Sequence, residues 1–282
     1  MEASEGEGRS EMECTEIETT VEALDGSLIF HVVKEIIGFV LFMHQQIPGI
    51  LQDLSLEFHT LQAECENLDS VLTQTEVKAS SRRKHNGRMR EVKQGIRKLE
   101  KLMNTIFSLQ TALQLMLNEI HDIQGVILVL GTNPIRPQHV YEMCFSHGRV
   151  VSGVVTDFSK SRTSEGLSRK AIRALISKGA GSGSYAGPTK LFLLVKAPSS
   201  FNLPMHFLPK RDFRYSKKIV PFRLRIKCRT RDQDMDASHH NPQTASSISL
   251  TKTTSNDLIW YGRFQCRHTV KGLPSKTPST EE

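Results

Sequence analysis

Residues 125–143 read GVILVLGTNPIRPQHVYEM, and they restrict the possible folds more than any other stretch. Val126, Ile127, Leu128, Val129 and Leu130 form a continuous apolar run, mostly branched, bounded by Gly125 and Gly131. Such a run is too short for a helix core and suits a strand buried on both faces. Gly131, Thr132, Asn133 and Pro134 then supply turn chemistry, because glycine and asparagine tolerate positive φ and proline cannot donate to a ladder. A strand without a polar face needs cover from both sides. The helices before and after it are therefore expected to pack there, giving an α+β domain around a central sheet.

The first of those helices is predicted over 28–46. At 100° per residue His31, Lys34, Glu35, Gly38, Gln45 and Gln46 gather on one polar stripe. Ile29, Val32, Val33, Ile36, Ile37, Phe39, Val40, Leu41 and Met43 fill the rest, and Ile47, Pro48 and Gly49 end the helix. An apolar stripe this wide exceeds what one sheet face covers. The surplus, marked by Met43 and by Phe42 in the middle of the polar stripe, either meets another protein or lies under a segment of the same chain. Residues 57–79 carry no decisive pattern. Residues 80–88 (SSRRKHNGR) read as part of an exposed basic loop over about 78–90. From 88 to 124 Val92, Ile96, Leu99, Met103, Ile106, Leu113, Leu117 and Ile120 recur in steps of three and four, which is a long helix. Leu102, Leu109 and Met116 widen its stripe, favouring packing on the body of the domain over an isolated coiled coil.

Beyond the central strand, 150–156 (VVSGVVT) reads as another strand or a partner segment. Residues 161–178 form a helix with Gly179 as its stop and Leu167, Ala171, Ala174 and Leu175 as its core face. Ile172 and Ile176 project to the flank, as a second contact surface or a shallow edge of the core. The Gly-rich loop 179–188 is not a phosphate cradle, since no Gly-Lys-Ser/Thr follows and the chain continues into a strand at 191–195. Residues 198–209 are irregular yet carry Phe201, Leu203, Met205, Phe207 and Leu208. Then Val220, Phe222, Leu224, Ile226 and Cys228 alternate with Arg223, Arg225, Lys227, Arg229 and Arg231, a strand with one face inward. Its outward cations protect a sheet edge or meet phosphates; without aromatic platforms the protective reading is preferred. A closing pair of strands is expected over 246–253 and 258–269.

The chain of 282 residues carries a net charge of +7, unevenly spread. Residues 1–26 are acidic and are expected to be a disordered solvating arm, with a shield for a basic patch and a partner-binding segment as alternatives. Residues 27–272 form one domain, and 273–282 a disordered tail. Five cysteines without a C-x-x-C argue against a zinc ribbon, a redox motif or a secreted disulfide framework. Lys34, Glu35 and Pro48 make a membrane span over 28–51 improbable. Adjacent His239 and His240 lack the spaced partners a metal needs. No catalytic motif is present, which shifts the expectation toward a binding protein without enzymatic activity and without cofactor or metal.

Several runs occur in the order of one known family: 41–48 (LFMHQQIP), 126–142 (VILVLGTNPIRPQHVYE), 172–176 (IRALI), 207–210 (FLPK), Ile259-Trp260 and Lys271-Gly272. With the order of elements, they resemble the comet family of HORMA-like adaptors, which bind the mitotic-arrest-deficient checkpoint protein. The resemblance implies a HORMA-like domain: a mostly antiparallel sheet packed by about three helices and closed by its own C-terminal hairpin. It implies an adaptor that recognises a closed HORMA protein and presents it to a hexameric AAA+ ATPase of the pachytene-checkpoint type. The consequence would be checkpoint-complex disassembly, with remodelling of meiotic chromosome-axis HORMA proteins as a related role. Such a protein would reside in nucleus and cytoplasm, on chromosomes or the spindle in dividing cells. The family's partner contact falls on Met43 and Ile172, both changed in residue type, beside Phe42 and Ile176. Its ATPase contact falls on Phe207, Pro209 and Lys210. The competing class is a basic chromatin- or nucleic-acid-associated protein using 82–88 and 223–231.

Overall fold

The computed structural model describes residues 14–19, 24–74, 79–120, 123–146, 157–182, 187–211, 213–216, 218–228 and 261–273. Among them are four helices and a mixed sheet of eight strands, an α+β architecture. The strands are β1 (Thr15–Glu18), β2 (Gly125–Asn133), β3 (Arg136–Ser146), β4 (Lys190–Pro198), β5 (Phe207–Pro209), β6 (Phe222–Lys227), β7 (Tyr261–Cys266) and β8 (Val270–Lys271). The helices are α1 (Gly26–Met43), α2 (Leu54–Gln74), α3 (Ala79–Glu119) and α4 (Asp157–Ser177). The sheet order is β1-β6-β3-β2-β4-β7-β5, with β8 also on β4. Pairings are antiparallel except β1 with β6 and β3 with β6.

The central strand is β2, and both its faces are buried as its composition requires. Val126, Leu128 and Leu130 join the main core, under Val33, Ile37, Leu109 and Leu113 of the helices. Ile127 and Val129 point the other way, with Phe192 and Leu194, and meet Phe213, Tyr215 and Ile219. Helices were expected on both faces. Instead the second face is covered by an irregular segment, because a few aromatic and branched side chains suffice to roof the middle of a sheet. Its backbone is held by Arg263, whose Nη1 donates to the Phe213 carbonyl at 2.8 Å, and by the Tyr215 hydroxyl, which donates to Glu142 Oε1 at 2.6 Å.

α1 begins at Asp25, whose Oδ1 accepts from the Leu28 amide at 2.7 Å, a standard N-cap. It stops short of the expected end. Gln45 takes a left-handed φ of 51°, and the Gln46 and Gln45 amides turn back to the Leu41 and Phe42 carbonyls. This is a Schellman closure made without glycine. α4 ends the same way on Gly179 (φ 80°), with Ala180 bonded to Leu175 and Gly179 to Ile176, as its sequence predicts. Among the described residues α1 is the one helix long and apolar enough to cross a membrane. Its apolar side is buried instead in the core, Val32 through Leu41 included.

Three expectations are corrected. The basic cluster 82–88 is not a loop but the first turns of α3, which pairs antiparallel with α2. Arg88 meets Glu64 at 2.6 Å, His85 Nε2 bonds the Leu68 carbonyl at 2.7 Å, and Cys65 lies 3.7 Å from the Met89 sulfur. Arginine and lysine are good helix formers, and a partner helix supplies the tertiary support they lack alone. Second, the acidic arm is not wholly solvating, since β1 lies within it. Ile17 is buried, and Glu16 meets Lys227 at 2.7 Å and Arg225 at 3.3 Å. Third, β6 is no edge strand, because β1 covers it. Its cations are paired in the chain, Arg223 with Glu142 at 2.7 Å, and Val220, expected inward, is 85% exposed. The strands expected at 150–156 and 246–253, and His239 and His240, lie outside the described residues.

Candidate protein-docking groove

α1, α3 and α4 leave a cleft of about 520 Å3 along the solvent side of α1. Its lining combines Lys34, Glu35, Phe39 and Phe42 of α1 with Ile50 and Leu51 of the following turn. Met103, Ile106 and Phe107 of α3 and Ile172 of α4 join it, with Gln52, Gln110 and the first residues of α2, Leu54 and Ser55. Gly38 makes the floor possible, since a Cβ there would stand 2.9 Å from Leu51 Cδ1. Three large apolar side chains stand open on it beside the polar Lys34 and Glu35: Phe42 is 43% exposed, Ile50 44% and Phe107 69%. Large apolar side chains clustered around a concavity mark a binding surface, whereas scattered ones do not.

Of the partner-contact residues predicted from sequence, Phe42 and Ile172 are brought together in this groove. Ile176 stands one turn further along α4 and is exposed. Met43 separates from them. It is half-buried under the turn after α4, where Gly181 takes φ 82° and a Cβ would stand 2.8 Å from Met43 Cε. Thus Met43 packs under its own chain, while Phe42 stays half-exposed in the groove. Phe107 and Ile50 were not anticipated. Phe107 carried a readable signal, an aromatic off the core seam of a long helix, just as Phe42 did.

The second predicted contact lies at the far edge of the sheet. Phe207 is 2% exposed, its ring 5.4 Å from Phe201, so it is a core anchor and not a contact residue. It fixes β5 on β7, and the Lys210 amide donates to the Arg263 carbonyl at 2.7 Å. Pro209 is exposed and Lys210 partly so on this edge strand, beside exposed Leu208.

Below the groove, α1 is tied to the C-terminal segment. Gln46, expected on the polar stripe, is buried: its Oε1 accepts from the Thr189 amide at 2.7 Å, and its Nε2 donates to the His44 carbonyl at 2.7 Å. The Leu273 amide donates to the Gln46 carbonyl at 2.7 Å, and Gly272 donates to Thr189 at 2.8 Å. A Cβ on Gly272 would overlap Gln46 Oε1. Beside this clasp His44 Nε2 and the Tyr141 hydroxyl are hydrogen-bonded at 2.6 Å, and the His44 ring lies 4.2 Å from that of His139. Burial, with His139 nearby, holds His44 down at about 4, so the pair is neutral at pH 7.

Compared with known proteins, the chain matches no family model and no curated protein. What the geometry defines is a protein with an open apolar groove on three helices and a C-terminal segment fastened across the sheet.

Proposed function

We propose that this protein is a HORMA-like adaptor that binds the closed conformer of a HORMA protein and delivers it to a hexameric AAA+ remodeller. The observation that carries this reading is the groove that joins Phe42 and Ile172 from two separate helices. Such a groove takes the apolar face of a helix, and the Lys34 and Glu35 side chains at its margin orient it. Two further features support the reading. The segment from β7 to Leu273 lies along β4 and is fastened by Gln46, as a self-closing C-terminal strap requires. The β5 edge offers Pro209 and Lys210 on a rigid support, away from the groove lining, so both partners can be held together. The outcome would be disassembly of the mitotic checkpoint complex, with meiotic axis HORMA proteins as further clients.

The test is co-elution of purified protein with a closed HORMA partner. Phe42→Asp and Ile172→Asp each should weaken binding by about 30-fold or more, the size of a central interface residue. Pro209→Ala with Lys210→Ala should leave that binding intact and abolish stimulation of the ATPase. If both groove variants bind like the wild type, the groove is not the interface.

A further inference from the structure

Two basic stretches stand out in the sequence, and the chain treats them differently. On β6 the cations are answered within the fold: Arg223 by Glu142, Arg225 and Lys227 by Glu16. On α3 they are mostly unanswered. At 100° per residue Arg82, Arg83, Arg90, Lys93, Arg97 and Lys101 fall within an arc of about 100° on one flank of the helix. At about 1.5 Å per residue that flank is about 28 Å long. All these residues are exposed. Lys93 reaches toward Asp69 at 3.9 Å; no carboxylate lies within ion-pair distance of the others among the described residues. Of the α2 acids, Glu64 takes Arg88 on the other side of α3, and Asp69 alone reaches this flank.

We infer that this flank of α3 is a binding surface for the phosphodiester backbone of duplex nucleic acid. Three observations choose phosphate over an acidic protein segment. From Arg82 to Ser108 the arc holds no apolar residue: Asn86, Glu100, Asn104 and Ser108 stand between and just beyond the cations, and the first apolar side chain beyond them is Leu115, near the far end of the helix. A peptide that binds by helix or strand needs apolar anchors, while a phosphate track needs only charge and hydrogen-bond donors. Four of the cations are arginines, whose fork matches phosphate oxygens. Arg83, Arg90 and Arg97 recur every seven residues in one row, about 10 Å apart. Finally, the row runs into a polar cleft of about 330 Å3 lined by Arg97, Lys101, Asn104, Ser108 and His268, with Glu100 the single acid. The Asn104 side-chain amide there is a donor for a phosphate oxygen, while the Ser108 hydroxyl already donates to the Asn104 carbonyl at 2.8 Å. No aromatic platform accompanies the cations, so the surface reads charge and not sequence.

The experiment is fluorescence anisotropy of the full chain with a labelled duplex of about 20 base pairs, from 50 to 200 mM salt. Wild type should bind in the micromolar range at low salt and weaken steeply as salt rises. The Arg83→Gln, Arg90→Gln, Arg97→Gln triple variant keeps helix propensity. It should weaken binding at least 10-fold at 50 mM salt and flatten the slope of log affinity against log salt by about 3. Phe42→Asp should leave the anisotropy curve unchanged, separating this surface from the groove. Circular dichroism checks that the triple variant is folded. No binding at 50 mM salt, or a folded triple variant with wild-type affinity, overturns the assignment. So does polyglutamate of matched charge competing as well as unlabelled duplex, which would identify an acidic protein as the occupant.

Discussion

Phe42 and Gln46 stand about one turn apart where α1 ends, and the chain satisfies them in opposite measure. Gln46 is polar, buried, and has its amide and backbone groups bonded to His44, Thr189 and Leu273. Phe42 is aromatic, half-exposed, and faces an empty groove. By composition alone the two should have exchanged places. The polar residue is inside because its side chain satisfies the Thr189 amide and the His44 carbonyl, which a hydrocarbon of similar size cannot do, while its backbone carbonyl holds the Leu273 amide. The apolar residue is left half-exposed because the described residues around it cover one side of the ring only. The end of the helix is closed on the molecule, and the turn above it stays open among the described residues.

The closed side should break most readily. Gly272→Val places side-chain atoms on Gln46 Oε1, which cannot retreat without abandoning the Thr189 amide. Overpacking and an orphaned buried donor together should cost about 3 kcal/mol or more. Chemical denaturation of the purified variant measures it. Gln46→Leu keeps the volume roughly and removes only the bonds, leaving the Thr189 amide unpaired, so it should cost about 2 kcal/mol. If Gln46→Leu is as stable as wild type, the clasp is an incidental contact.

The same contrast explains which parts of the molecule were legible in the sequence. Phe42 was legible because its oddity is local: an aromatic on a polar stripe shows in one helix turn. Val126 to Leu130 were legible because a run without a polar face has few solutions. Gln46 was not, since its burial is decided by Gly272, far along the chain. Nor was β1, whose residues Thr15 to Glu18 become a strand only where β6 offers Arg225 and Lys227 to Glu16. The helical state of 82–88 likewise depends on α2. Phe207 shows the converse: the resemblance assigned it to a partner contact, but whether its aromatic faces a partner or the core is decided by Phe201 and Phe264, which pack against or beside it.

Acid should loosen the closed end selectively. His44 is held at about 4 against an ordinary 6.5, chiefly by burial and then by His139, which is itself lowered by burial. In the unfolded chain the imidazole takes a proton near pH 6.5, while in the folded chain it does not until about pH 4. Its contribution to stability is therefore complete above pH 6.5, falls as the pH drops toward 4, and is level below that. Allowing for its partial exposure, the loss is about 1 kcal/mol. Urea unfolding at pH 7, 5.5 and 4.5 should show this extra slope in wild type and not in His44→Gln, the carboxylates common to both cancelling in the difference. Equal slopes would mean that the His44–Tyr141 contact opens before it titrates.

The smallest effect on stability is expected where the effect on binding is largest. Phe42→Asp replaces a half-exposed ring by a carboxylate on a helix surface that already carries Lys34 and Glu35. No buried polar group loses a partner, but the ring is about half covered and the carboxylate falls in the last turn of α1, so unfolding free energy should fall by no more than about 1 kcal/mol. A core phenylalanine treated the same way, Phe207 for instance, should lose at least about 3 kcal/mol. The pair of variants, compared by thermal melting, therefore separates an aromatic kept for the fold from one kept for a partner. A large loss at Phe42 would mean that the groove closes on the ring in solution, and the distinction between the two ends of α1 would fall with it.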